Sequence, residues 1–404
     1  MYQNPEPTIS VTSLRCLKRL WLCLAAVVCL FYLPWTVAAA DMKLVPSLKV
    51  KETYDDNVTF SRTDKQDDFV TSINPELMLE YATELLSLES RAALDLLRYA
   101  DDSDLDTENY RLGLTGRYGV LERFTLSGNF SYLKDTTLES ELEETGLVNL
   151  REDRERYTGG GGISYKLSER SDVGLDYTYG DTRYDSQDQV DYDSHSLTFS
   201  YNRYFNDQLD VFTIQPYYVG RDSDISQTDN YGLSLGWAHA FSETWRMTCF
   251  LGARYTEIDY VYSPWYRGKE STRGGVADMS VAKTGEITTA TIGYSRDLHY
   301  SSYGEPIETD KIYLRANRMM TRRLGVAFSG SLYFTESEGE FLVEDSSHVE
   351  LSPSLNYRLT RQHSLRAGYS YSRHCDKTRS RNEDYDRHRA WVLLDFRFPQ
   401  DWWL

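Results

Sequence analysis

The sequence predicts an all-β chain, a transmembrane antiparallel up-and-down β-barrel, and three observations carry that prediction. The first is a recurring unit best seen from Gly161 to Gly180, where Ile163, Tyr165 and Leu167 alternate with Ser164 and Lys166. After the polar turn Ser168-Glu169-Arg170-Ser171 the alternation resumes with Val173, Leu175, Tyr177 and Tyr179. Successive side chains of a strand point to opposite faces, so this is a hairpin with one apolar and one polar face. The second is repetition: turn centres at Thr83, Leu121, Glu169, Asp207, Glu243, Thr284, Arg322 and Arg361 are separated by 38, 48, 38, 36, 41, 38 and 39 residues. That period alone would also suit a propeller or a solenoid. The third observation, the N-terminus, decides among them. Arg15, Lys18 and Arg19 precede the apolar run Leu20 to Val37, and Ala38-Ala39-Ala40 follows, which is the order of an export signal with a small-residue cleavage site. Pro34 breaks the run, which argues against a membrane anchor. The expected organisation is a cleaved signal over residues 1–40 and one barrel domain over residues 41–404.

Composition agrees with this class. Mean hydropathy is -0.55 with 32 tyrosines, as expected of strands that face lipid on one side and water on the other. Tyrosine tolerates the membrane interface while its hydroxyl stays wet. One aromatic girdle is expected near the short turns (Tyr118, Phe124, Tyr165, Tyr204, Phe205, Phe241, Trp245). A second is expected near the long loops (Tyr179, Tyr255, Tyr260, Trp265, Tyr300). Three of the five cysteines lie in the signal, and Cys249 and Cys375 fall at opposite ends of their strands, so no disulfide is expected. No metal-ligand spacing is present and no cofactor is expected.

Taken in order, Leu44 to Tyr54 and Phe69 to Tyr81 form the first two strands, with a bulge expected at Pro75 and again at Pro216 and Pro353. Leu88 to Arg98 reads as a strand, although its Leu, Glu and Ala content also suits a helix. Phe124 to Tyr132 alternates clearly. The Glu-rich stretch Thr136 to Arg156 is expected to be an exposed external loop. Leu197 to Tyr201, Val211 to Val219, Tyr231 to His239 and Trp245 to Tyr255 continue the pattern, and a loop is expected from Asp259 to Arg273. Gly275 to Ala282 is the weakest strand. Tyr110 to Tyr118, the two strands of the Gly161 hairpin, five further strands after Ala282 and the closing strand Ala390 to Phe398 bring the count to about 18, an even number as single-chain bacterial barrels have. Without Gly275 to Ala282 and its partner the count is 16. Both termini then fall on the short-turn, periplasmic side, and closure removes the exposed edges of so large a sheet.

Beyond residue 40, Lys and Arg number 41 against 61 Asp and Glu, a net charge of -20. The excess lies mostly in the loops, where it favours solubility in transit and attraction of divalent cations, and it argues against nucleic acid as a partner. Parity places Arg91, Arg111, Arg117, Arg315, Arg366, Arg389 and Arg397 on the lumen face, with Glu80, Glu89, Asp95, Asp176 and Asp395. These arginines are the candidate binding residues: they either guide an anionic polymer or form a cross-lumen ion-pair network that rigidifies the barrel. Small residues expected to face inward are Gly159, Gly161, Gly174, Ser329, Ser331, Gly368 and Ser370. Catalysis has weak material, chiefly Ser194-His195-Ser196 and His363-Ser364, and neighbours in sequence do not make a triad.

The opening motifs carry a resemblance. Tyr54-Asp55-Asp56-Asn57-Val58, Asp68-Phe69-Val70-Thr71 and Ile73-Asn74-Pro75-Glu76-Leu77, with the turns at 167–170 and 359–362, resemble outer-membrane β-barrel proteins of the β-barrel porin type from exopolysaccharide loci linked to PEP-CTERM sorting. The resemblance implies a barrel in the outer membrane of a Gram-negative cell, with lipid and the assembly machinery as partners and exopolysaccharide as a candidate cargo. It transfers no catalytic residue. The tail Pro399 to Leu404 departs from the usual aromatic ending, so that either the assembly machinery uses an internal signal or the tail plugs the periplasmic mouth. The expected function is a porin-like conduit for a hydrophilic solute. The rivals are a closed structural or adhesive barrel with binding loops, and an outer-membrane hydrolase using His195.

Overall fold

A computed structural model describes residues 40–403 apart from 148–150, 187, 264–265, 302–305, 338–344 and 377–382. The expected signal and Trp265 lie outside the described residues. The first strands are β1 (Asp41–Asp55), β2 (Asp68–Ala82), β3 (Leu86–Tyr99), β4 (Thr107–Leu121), β5 (Phe124–Thr136), β6 (Asp153–Ser168) and β7 (Ser171–Tyr184). Next come β8 (Tyr192–Phe205), β9 (Asp210–Ser223), β10 (Ser226–Ala240), β11 (Trp245–Ser263), β12 (Tyr266–Thr284) and β13 (Thr288–Tyr300). The last are β14 (Pro306–Met319), β15 (Leu324–Ser337), β16 (Asp345–Arg358), β17 (His363–Asp376) and β18 (Glu383–Arg397), with a four-residue β19 (Gln400–Trp403). One α-helix, α1 (Thr137–Thr145), stands between β5 and β6. No described helix is long and apolar enough to cross a membrane, which says nothing of a barrel.

Each strand pairs antiparallel with its neighbours in chain order, and β1 closes the sheet on β18, from Ser47 opposite Arg397 to Asp55 opposite Arg389. β19 continues the last strand along β1, with Asp41 opposite Trp403 and Leu44 opposite Gln400. The barrel therefore has 18 positions, the last strand being interrupted at Phe398-Pro399. The tail is part of the wall and no plug, because a proline without an N–H interrupts a ladder without ending the strand.

The short turns fall at or beside every expected centre. The strand expected at residues 88–98 is present, since burial of alternate faces overrides helix propensity. Two expectations are corrected. The stretch 259–273 is mostly strand, because β11 and β12 run on well past the neighbouring hairpins. Pro75, Pro216 and Pro353 are not bulges: pairing lapses beside each proline and resumes in the same register. Register shifts occur instead beside turns and one loop end, at Gly119/Leu121, Lys166/Ser168 and Val261/Ser263.

The outer face carries an apolar belt. Leu77, Leu112, Ile163, Leu175, Leu233, Leu251, Ile292, Leu355 and Val392 are all exposed there, which only lipid makes favourable over so wide a band. Below the belt Tyr118, Tyr165, Phe205, Phe241 and Trp245 form one aromatic ring. Above it lie Tyr54, Phe69, Tyr110, Tyr177, Tyr179, Tyr218, Tyr231, Tyr255 and Tyr369. Many upper tyrosines donate to a carboxylate or accept a histidine partner beside them. Tyr54 donates to Asp67 (3.2 Å), Tyr110 to Glu108 (3.0 Å), Tyr179 to Asp193 (2.6 Å), Tyr218 to Asp229 (2.6 Å) and Tyr255 to Glu257 (3.0 Å). Three expected girdle members turn elsewhere: Tyr204 faces the lumen and donates to Asp172 (2.6 Å), Tyr260 is buried, and Tyr300 points into the barrel. Parity explains the first, since Tyr204 shares a face with Asn202 and not with Tyr201.

The lumen as candidate functional site

The upper and lower halves of the lumen are built differently. In the upper half, α1 leaves β5 and crosses to the opposite wall. Leu138 and Leu142, one helical turn apart, pack with Phe60 from the loop after β1, and Tyr385 of β18 joins them. Phe60 sits at φ +51°, an unusual region for a bulky side chain. Asn57 fixes it there: its carbonyl accepts from Phe60 N–H (2.9 Å), and its side chain exchanges two 2.7 Å bonds with Ser61. The helix ends at Gly146, φ +77°, where a Cβ would lie 2.6 Å from Tyr333 Cβ, so only glycine fits. Thr335 Oγ1 donates to the Thr145 carbonyl (2.7 Å), and His374 Nδ1 lies 3.1 Å from the Gly146 carbonyl oxygen. The acidic stretch expected outside is therefore folded inward, because its leucines find an apolar partner there.

Charge locks the return. Arg154 makes a two-pronged contact with Asp135 (3.0 Å each) and lies 3.6 Å from Glu144, while Arg156 bonds both Glu144 oxygens at 2.8 and 3.1 Å. Burial pushes the Glu144 carboxyl up, but the Arg156 and Arg154 guanidiniums outweigh it and hold it below the usual carboxylate range. Asp55, from the opening motif, is buried against Arg387 (2.8 Å to Nε), and Asp68 accepts from the N–H groups of Ala100, Asp101 and Asp102.

A second insertion enters from the far side. β12 pairs with β13 only over Ala277–Thr284, so the end of the β13–β14 hairpin is released from that neighbour. Register puts Glu308 on the face of lipid-exposed Ile312, yet it receives Arg254 Nη2 (2.9 Å), a lumen-side residue of β11. The hairpin end has therefore bent inward across β11, burying Ile307 and Leu298. Tyr300 at its tip covers the Arg221 guanidinium of β9 at 4.4 Å, and Tyr192 of β8 stacks on it at 3.7 Å.

Along the rest of the wall, register places all seven candidate arginines on the lumen face. Arg91 is paired with Glu76 (3.4 Å), Arg366 and Arg397 share the buried Asp395 (3.1 Å each), and Arg389 meets Glu350 (3.4 Å). These contacts run along the wall between neighbouring strands. Lys43 with Glu80 (3.2 Å) and Lys49 with Glu76 (2.7 Å) extend them. Arg111, Arg117 and Arg315 are exposed and have no acidic partner among the described residues, Arg315 lying 5.6 Å from the Tyr313 ring. Across the lumen from β3 and β4 stand β12 and β13, whose inward residues Asp278, Ser280, Thr289, Thr291 and Ser295 carry hydroxyls and an acid. Gly159 and Gly161 do not face inward as expected. They share the lipid face with Ile163, and Gly160 and Gly162 are the small lumen residues, a Cβ on Gly162 falling 2.2 Å from Asp176 Oδ1.

The residues of the hydrolase expectation are separated by the same alternation. His195 points outward, 2.7 Å from Tyr177 Oη, at a shallow outer cleft of about 410 Å³, while Ser194 and Ser196 point to the lumen. Cys249 and Cys375 are both free thiols.

A closed sheet, an apolar belt between aromatic rings and a charged interior define a membrane barrel. Residues 42–191 match the model of the family described as putative beta-barrel porin 2. That stretch contains β1 to β7 and α1, and the same hairpin unit continues beyond it to the seam. That match to part of the chain, with the closed sheet and the apolar belt, supports a porin-like membrane β-barrel. Among solved structures, OccK2 (OpdF) of Pseudomonas aeruginosa is 13% identical, covering 90% of this chain and 98% of that one with a TM-score of 0.48. OccK1 (OpdK) of Pseudomonas aeruginosa is 10% identical, covering 89% and 99%, with a TM-score of 0.49. A BenF-like porin from Pseudomonas fluorescens Pf-5 is 12% identical, covering 90% and 99%, with a TM-score of 0.47. No protein of curated function matches the chain.

Proposed function

We propose that the barrel is a conduit for a hydrophilic, negatively charged solute, with an exopolysaccharide as the candidate cargo. The observation that carries this reading is the set of three water-exposed lumen arginines, Arg111, Arg117 and Arg315, that have no acidic partner among the described residues. A structural role would favour pairing them, as Arg366 and Arg397 are paired on Asp395; unpaired cations facing the lumen from β4 and β14 attract anions into a water-filled lumen. In this reading residues 1–40 are removed on export, and residues 41–404 form the working barrel with both ends of the chain in the periplasm.

The rival is a closed structural or adhesive barrel, and α1 and the inward hairpin end favour it by filling the upper lumen. Conductance of the refolded chain 41–404 in a planar bilayer separates the two. The conduit predicts ion-selective steps with anion preference, and Arg111→Glu with Arg117→Glu should reverse that preference. Silence from a heat-modifiable, folded barrel would leave the structural reading, and steps of unchanged selectivity in the double variant would remove the arginines from the account. Arg366 is a poorer choice for this test, since glutamate there would face buried Asp395.

A further inference from the structure

Arg221 is the buried cation that the wall does not satisfy. Its side chain is 4% exposed, and none of its three nitrogens has a hydrogen-bond partner. The other buried arginines of the upper lumen are each matched with carboxylates: Arg154 with Asp135, Arg254 with Glu308 and Arg387 with Asp55. Arg221 has instead two tyrosine rings, Tyr192 at 3.7 Å and Tyr300 at 4.4 Å. Stacked rings offset part of the lost hydration of a guanidinium, but they leave its in-plane N–H donors without acceptors. Those nitrogens are also closed off from water-sized space, so no small ion or water fits beside them while both rings are in place. One of the rings is held loosely. Tyr300 ends the part of β13 that has lost its β12 neighbour.

We infer that Arg221 is a concealed oxyanion site with the ends of β13 and β14 as its cover: a carboxylate or phosphate group of a solute takes the guanidinium edge and displaces the Tyr300 ring. A planar two-oxygen group matches the paired N–H donors that the rings cannot reach, and charge-assisted bonds of that kind outweigh one ring face. Because the cover is the hairpin end that fills the upper lumen, binding and opening become one event. A ligand shifts such an equilibrium only by its preference for the open form, and here the closed form denies the ligand its site entirely. The inference rests on the conduit reading for the identity of the solute as an anion, while the site itself is testable without any current being measured.

The test is hydrogen exchange of the refolded barrel, read at residues 297–300 and 306–309, in inorganic phosphate, sodium gluconate, sodium chloride and glucose, the salts at equal ionic strength. Phosphate or gluconate should speed exchange of these segments by about tenfold, the scale of one charge-assisted bond exchanged for a ring contact, and the stronger of the two names the group. Chloride and glucose should leave exchange unchanged. Arg221→Met should abolish the response, and Tyr300→Ala should give fast exchange without any anion. An equal response to chloride would reduce the effect to screening and overturn the site. So would an unchanged response in Arg221→Met, or no response in the wild type, a comparison that needs no variant to fold. Exchange that responds in a barrel without conductance would keep the site and reject the conduit. Conductance with exchange indifferent to anions would do the reverse.

Discussion

The two halves of the lumen hold similar residues to opposite effect. Above, arginines are buried and used as ties: Arg154 and Arg156 fasten α1 through Asp135 and Glu144, and Arg387 fastens the first loop through Asp55. Elsewhere on the wall, Arg111, Arg117 and Arg315 are exposed with no acidic partner among the described residues. The difference teaches that an arginine on a barrel's inner face has no fixed meaning. What decides it is whether an insertion from another hairpin comes close enough to exclude water, since only then does an ion pair outweigh hydration.

That contrast can be broken at its strongest point first. Arg387→Ala would leave Asp55 buried beside the seam without its cation, and the barrel should lose about 3–5 kcal/mol, read as a lower midpoint in urea unfolding. Arg117→Ala in the lower half, by comparison, should leave the midpoint unchanged. A smaller effect is expected from Leu142→Ala, which removes one of the two leucines under α1. A loss of about 2–4 kcal/mol should fall on the helix and not on the sheet, seen as faster exchange over residues 137–147 and as noisier current through any open channel. Equal slowing or quickening throughout the barrel would refute the separation of insert and wall.

The mildest test is pH. Glu144 has its carboxyl held below the usual carboxylate range in the folded state, so its contribution is complete above that range and is lost as pH falls through the lowered value. Exchange over residues 137–147 should therefore quicken in acid and stay flat from neutral to alkaline pH. Glu144→Gln should exchange quickly at all pH values, and a wild-type profile that is flat in acid would remove the carboxylate from the latch.

Alternation made the wall legible. Every short turn, the weak strand at Gly275 and the inward set of arginines follow from the period of two, because lipid and water impose opposite chemistry on the two faces at every step. The insertions were not legible in the same way. Thr136 to Arg156 is acidic enough to read as an external loop, and the signal that it turns inward is only Leu138 and Leu142 four residues apart, which need Phe60 from a distant loop to make sense. The bent end of β13 and β14 left less trace still: Glu308 and Tyr300 occupy lipid-side parity, and only the loss of pairing with β12 reverses their direction. Gly159 and Gly161 were misplaced for a simpler cause, as parity counted from Ile163 puts them outside.

The upper tyrosines and their carboxylates also fix where the barrel floats. Drawn inward by one residue pair, it would carry Asp193, Asp229 and Glu257 toward hydrocarbon; pushed outward, it would lift Leu233 and Leu251 into water. Both displacements are opposed at once, around much of the circumference, by bonds shorter than the step itself. The collar acts as a waterline, and it holds the mouth of the lumen at one height above the lipid however the loops beyond it move.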